Sequence, residues 1–206
     1  MIELFTSALI TFLVVIDPPG CAPIFASLTS GAAAVERRRM AVRSAMIAWG
    51  VLMFFALLGE PLLRALGIEL ASFRIAGGIM LFAIALDMVF EKRTERREER
   101  ASQVVQEDIS VFPMAIPMIA GPGSIASAML LTARARGTLE SAIVLSAMTT
   151  VIFITMLALM IAGPLMRLIG DRLEAMVTRI LGVILAALAA QFVVDGLKES
   201  FPGALG

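Results

Sequence analysis

The sequence predicts an all-α integral membrane protein. Its six transmembrane helices form two inverted three-helix repeats, and helices 1 and 4 are broken mid-membrane. Three observations carry that prediction. The 206-residue chain is 59% hydrophobic with a mean hydropathy of +0.93, against about 45–50% apolar residues in soluble domains, even with glycine counted. Six apolar runs approach or exceed the roughly 20 residues needed to cross a hydrocarbon core about 30 Å thick. Two Pro/Gly clusters interrupt otherwise apolar runs at corresponding places in the two halves.

The first span covers 4–28 and contains "VVIDPPGCAPIF" (14–25). Proline has no N–H and collides with the preceding turn, so the helix is expected to end near Ile16 or Asp17. It should restart near Gly20 or Cys21, leaving Pro23 in a first turn that tolerates proline. The second span covers 44–63 and the third 71–90. Asp87 lies near the inner end of the third, placed to pair with Lys92 or Arg93 or to carry a coupling proton. The connection "EKRTERREERASQVVQED" (91–108) mixes both signs of charge and reads as a solvated loop or helix. The fourth span, 109–132, contains "AGPGS" and should restart near Gly123 or Ser124, with Ser124 as cap. The fifth covers 141–165. The sixth covers 176–197, with Gln191 expected to face the bundle interior.

The repeat is read from three matches in the same order. "IDPPGCA" (16–22) precedes "IAGPGSI" (119–125) by 103 residues, as "PLLRALG" (61–67) precedes "PLMRLIG" (164–170). "RIAGGI" (74–79) precedes "RILGVI" (179–184) by 105. The single domain, 1–206, thus divides into repeat 1 (about 1–90), a cytoplasmic loop (91–108) and repeat 2 (about 109–206). Three spans per repeat reverse the second half relative to the first. The connections after spans one, three and five carry 12 of the 17 Lys and Arg residues, which places them in the cytoplasm. Both termini then face outward.

Composition also narrows the function. The formal net charge is zero, so no nucleic-acid partner is indicated. One cysteine excludes an internal disulfide. The absence of histidine removes the commonest metal ligand and general base. No HExxH, GxSxG or Walker pattern is present. An enzyme is not expected, and neither is a metal or organic cofactor.

The breaks carry the chemistry. Unwound backbone is stable at membrane depth only where protein buries it or it lines a cavity. New helix N-termini present N–H groups suited to a carboxylate, and the preceding C-termini present carbonyls suited to an ammonium or cation. Together they suit a zwitterion. The substrate-binding residues predicted on this basis are Asp17, Pro18, Pro19, Gly20 and Cys21 with Gly121, Pro122, Gly123 and Ser124. Small neighbours such as Ala22, Ala120, Ala126 and Ser127 would admit close approach. Asp17 reads either as a ligand or proton-coupling group or as a cap on the restarted helix, because Asp-Pro-Pro-Gly is turn chemistry. Its repeat counterpart is Ala120.

The stretches "VVIDPPGCAPIFASL" and "AIPMIAGPGSIAS" resemble the paired signatures of the MarC family of inner-membrane proteins. The resemblance covers essentially the whole chain. It implies a multi-pass protein of a prokaryotic plasma membrane, within a family described as six-span neutral amino acid transporters and related to the lysine-exporter-like superfamily. Carried onto this chain, the substrate region would be Asp17-Pro18-Pro19-Gly20 and Gly121-Pro122-Gly123-Ser124. Pro19 and Cys21 stand where the family pattern is expected to have a hydrophobic residue and an Asn or Gly. The expected function is secondary transport of a small neutral amino acid such as glycine or alanine by alternating access, with protons as candidate coupling ion. A homo-oligomer is compatible with this. The rival readings are an ion or small-solute channel and a non-transporting scaffold that uses the 91–108 segment to bind a partner.

Overall fold

The computed structural model describes residues 1–90 and 108–201, leaving aside the side chains of 165–172 and 174. The predicted connection therefore lies outside the described residues except for Asp108, as do Lys92 and Arg93, the expected partners of Asp87. The described chain is helical throughout: α1 (Ile2–Ile16), α2 (Pro18–Leu28), α3 (Ala34–Ala65), α4 (Leu70–Val89), α5 (Ser110–Ile119), α6 (Pro122–Arg134), α7 (Gly137–Met160) and α8 (Ala162–Ser200). Five helical stretches are long and apolar enough to cross a membrane, and α5 with α6, bent by 54°, make a sixth. The chain is an integral multi-pass membrane protein.

Helix lengths differ from the predicted spans for a simple reason: hydropathy locates the buried stretch, whereas backbone hydrogen bonding continues beyond it. α3 has 32 residues, close to 48 Å at about 1.5 Å per residue, so its Arg37–Arg43 turns project past the apolar layer. α8 has 39 residues and begins ahead of the predicted sixth span, at Ala162. The apolar surface is turned outward: Phe54, Leu58, Ile79, Phe82, Phe153 and Val183 are all exposed, as expected where lipid is the solvent.

Small residues set the central contact. α4 lies along α8 more extensively than any other pair of elements. A Cβ at Gly78 would sit 2.8 Å from the Ala189 carbonyl oxygen. One at Gly182 would sit 3.1 Å from the Ala85 oxygen, and one at Gly196 would sit 2.9 Å from the Ala71 oxygen. Positions 71, 78 and 85 thus meet 196, 189 and 182 in reverse order, so the two helices are antiparallel. Small residues let the backbones approach this closely without a hydrophobic driving force, which lipid does not supply.

These two helices are the third elements of the two repeats, and equivalent helices packed antiparallel are related by a two-fold axis across them. Gly78 and Ala85 on one helix exchange roles with Gly182 and Ala189 on the other. Several of the remaining contacts follow the same exchange. α1 packs on α7 and α5 on α3; α2 packs on α8 and α6 on α4; α1 touches α6 and α5 touches α2. That is the pattern an inverted repeat produces.

Candidate functional site

Asp17 is the hinge of the first break. Its N–H donates to the Leu13 carbonyl, ending α1, and its own carbonyl accepts from the Cys21 N–H, starting α2, both at 3.0 Å. The residue holds φ 58° and ψ 67°, the left-handed region that Asp and Asn tolerate better than other non-glycine residues. Its carboxylate accepts from the Gly20 N–H at 3.2 Å, and the residue is 1% exposed. Asp17 therefore caps α2. The new helix begins at Pro18 rather than at Gly20 or Cys21. Pro18 and Pro19 occupy its first two positions, where a missing N–H costs nothing. Pro23 consequently falls in the interior of α2 rather than in its first turn. The Cys21 thiol donates to the Ile16 carbonyl at 3.4 Å, tying the two halves of the span together.

The second break is built differently. α5 is an irregular, widely wound segment, with Met114 N–H bonded to the Ile109 carbonyl and Ala120 N–H to the Ala115 carbonyl. Phe112 and Ile116 have extended backbone angles, and the peptide bonds that follow them, to Pro113 and Pro117, are cis. Hydropathy ran over these residues as ordinary span. The prolines at 113 and 117 were the available signal, since each removes a donor and disfavours helix at the residue before it. α6 restarts at Pro122 with Gly121 as cap, so the expected cap, Ser124, lies inside the first turn. Gly121 must be glycine: a Cβ there would overlap the Pro117 carbonyl oxygen.

The two breaks meet. A Cβ at Gly123 would lie 3.2 Å from a Val15 methyl, and against Leu81 and Ile84 of α4. Pro18, Gly20 and Cys21 are buried with Asp17, as are Gly121, Gly123 and Ser124; Pro19 is half-buried and Pro122 exposed. Asp87, half-buried near the end of α4, lies well along the chain from both breaks.

Ser127 stands out among the small residues near the second break. It is completely buried, and its hydroxyl has no hydrogen-bond partner. The buried hydroxyls of Thr11, Thr29, Ser44 and Thr155 each donate to the carbonyl four residues back, at 2.7–2.9 Å. Ser127 does not bond the Gly123 carbonyl in this way.

Ion pairs close the bundle at its two ends. Arg43 of α3 pairs with Asp108 at the entry to α5. Asp108 also accepts from the Ser110 hydroxyl and N–H. Those hydrogen bonds are the main cause that holds its carboxyl below the ordinary value of 3.8; burial opposes them, and Arg43 and Arg39 add weaker pulls in the lowering direction. At the other end Arg74 pairs with Glu199 and Arg134 with Asp195, fastening α4 and α6 to the end of α8. Gln191 is exposed and donates to Asp195 at 2.7 Å, so it does not face the bundle interior.

Compared with known families, residues 2–201 match the MarC family integral membrane proteins. The chain belongs to the MarC family. Its relatives include a UPF0056 membrane protein of Archaeoglobus fulgidus, 34% identical over 200 residues that cover 96% of this chain and 94% of the relative. One from Methanocaldococcus jannaschii is 36% identical over 96% of this chain and 97% of its own. The Escherichia coli UPF0056 membrane protein YhcE is 33% identical over 92% and 90%. No solved structure matches this MarC-family chain.

Proposed function

We propose that this MarC-family protein is a secondary transporter of small neutral amino acids, glycine or alanine being the simplest, which holds the zwitterion between the two breaks. One observation carries the reading: two helices broken at corresponding positions of two-fold-related halves, with the breaks side by side at Gly123 and Val15. Inverted repeats with discontinuous helices are the recurrent construction of alternating-access transporters, and their substrates lie where the interrupted helices meet. The half containing α1–α4 and the half containing α5–α8 rock about the α4–α8 contact. The protein sits in a prokaryotic plasma membrane with both termini outside, and protons are the coupling ion, with Asp17 and Asp87 as the carboxylates that could carry them.

Counterflow in proteoliposomes tests this. Vesicles preloaded with unlabelled glycine or alanine should accumulate the labelled amino acid, while vesicles preloaded with lysine or glutamate should not. Absence of counterflow with every small neutral amino acid sinks the substrate class. Ionic currents far above transporter turnover would establish the channel reading instead.

A further inference from the structure

A cleft of about 480 Å³ opens where the last turns of α3, the end of α6 and the first turns of α7 come together, a volume within the range of small-molecule pockets. Leu57 and Leu145 contribute apolar wall, and four polar side chains from the three helices share it: Glu60, Arg64, Thr132 and Ser141. Thr132 is nine residues along α6 from Gly123, about 14 Å at about 1.5 Å per residue, so the cleft is separate from the two breaks. Resting on the reading of this chain as a transporter of small neutral amino acids, we propose that the cleft is a second amino-acid site, an outer vestibule in which Glu60 and its neighbouring oxygens take the ammonium and Arg64 takes the carboxylate.

The cleft is rich in acceptors. The Thr132 hydroxyl donates to the Ala128 and Met129 carbonyls, at 2.7 and 3.1 Å, and the Ser141 hydroxyl to the Gly137 carbonyl at 3.1 Å. With their protons committed, both oxygens offer lone pairs. Pro61 lies inside α3 and lines the cleft together with Leu57. Having no N–H, it leaves the Leu57 carbonyl without its ordinary helical donor. The Glu60 carboxylate completes the set, and an ammonium brings three N–H donors to it. The one cation is Arg64, whose guanidinium suits a carboxylate. Glu60 and Arg64 pair at 2.7 Å, but their side chains are 39% and 78% exposed, and an exposed pair contributes little to stability. Nor does the helix frame require it: "EPLLRALG" (60–67) recurs as "GPLMRLIG" (163–170), where the proline and the arginine return and the glutamate does not. A zwitterion inserted head to tail between the two charges replaces one solvated contact by two. The cleft lies at the end of the bundle fastened by Arg134 and Asp195, the outer end in the orientation given above, so an external amino acid meets it before the breaks.

The test is protection of a cysteine in the cleft. Ala133 lines it, and Cys21 is fully buried, so Ala133→Cys in nanodiscs reports maleimide access to this place alone. Alanine should slow the labelling, and methylamine and acetate, each carrying half of the zwitterion, should protect at concentrations at least about tenfold higher. Adding Glu60→Gln or Arg64→Gln should raise the protecting concentration of alanine about tenfold or more, the loss of one hydrogen bond to a charged group, while both variants melt as the parent does. Leu139→Cys, exposed on α7 outside the cleft, should label at one rate with and without alanine. If alanine raises the melting temperature but leaves Ala133→Cys unprotected, the vestibule is wrong and the amino-acid reading survives. Unchanged protection in both charge variants, or methylamine protecting as well as alanine, also overturns the vestibule. Labelling that is fast in detergent, slow in nanodiscs and indifferent to alanine means that an acyl chain fills the cleft, which overturns it too. Protection through Glu60 and Arg64 without any counterflow keeps the site and sinks transport. Neither melting shift nor protection by alanine overturns both.

Discussion

Asp17 does two jobs that different substitutions separate. It supplies an acceptor to the Gly20 N–H, and it tolerates a left-handed backbone at φ 58°. Asparagine keeps both properties and loses only the charge, so Asp17→Asn should melt within about 0.5 kcal/mol of the wild type. Alanine loses both. The missing cap costs about 0.5–2 kcal/mol and the left-handed alanine about 1–2 kcal/mol more, so Asp17→Ala should be destabilised by roughly 1.5–4 kcal/mol. Thermal melting of the two variants in detergent measures this. An Asn variant as unstable as the Ala variant would mean that the charge, rather than the cap, holds the break. Gly121 supplies the companion case. Gly121→Ala drives a methyl into the Pro117 carbonyl oxygen, a backbone atom that cannot swing aside, and should cost about 1–3 kcal/mol or more. Gly50→Ala on exposed α3, where a Cβ meets nothing within 4 Å, should stabilise by about 0.5–1 kcal/mol. The same melting assay on both variants checks the contrast.

At the scale of elements, the six spans and the two breaks were legible because each leaves a strong local mark: apolar length for one, Pro beside Gly for the other. What lay beyond the sequence was the exact point of restart. Pro18 and Pro19 both end a helix and begin one, and only the left-handed turn at Asp17, which no composition rule assigns, decides that they begin α2. α5 was hidden for another reason, since hydropathy is blind to how an apolar backbone is wound, and Pro113 and Pro117 were outweighed by their neighbours. The pairing of α4 with α8 was foreshadowed by "RIAGGI" and "RILGVI", although the glycine of closest approach in α4 is Gly78 rather than Gly77. Ser127 looked like any small residue, because a hydroxyl's partner is a matter of rotamer. The ion pair at the entry to α5 gives a pH-dependent prediction. The folded pKa of Asp108 is depressed, chiefly by the Ser110 hydroxyl, so its stabilising effect is complete above the unfolded value and is lost as pH falls from about 4 through the folded pKa. Ser110→Ala should raise that pKa and flatten the loss of stability on acidification. Melting curves between about pH 3 and 6 that superimpose for the two proteins would show that Ser110 does not hold this charge.

For the whole molecule, the two ends of the bundle are told apart by charge, and that fixes a testable orientation. Arg37, Arg38, Arg39 and Arg43 cluster on the first turns of α3, at the end where Arg43 meets Asp108. The opposite end holds the pairs Arg74–Glu199 and Arg134–Asp195, where each arginine is matched by an acid. Lys and Arg beside a span are retained in the cytoplasm during insertion with little regard to neighbouring acids, and four arginines cluster on the first turns of α3, so the start of α3 should face inward and the start of α7 outward. Val35 and Leu139 are both strongly exposed, at 79% and 63%, and lie at the first turns of these two helices. The chain's own Cys21 is fully buried and leaves little background. A membrane-impermeant maleimide applied to intact cells should therefore label Leu139→Cys and spare Val35→Cys, with both labelled once the membrane is opened. The reverse pattern would turn the molecule over in the bilayer while leaving the two-fold relation of its halves untouched. Labelling of both from outside would break the six-span topology itself. The membrane potential then acts on the two halves with opposite sign, because inverted halves present the same helix dipoles to it in opposite directions.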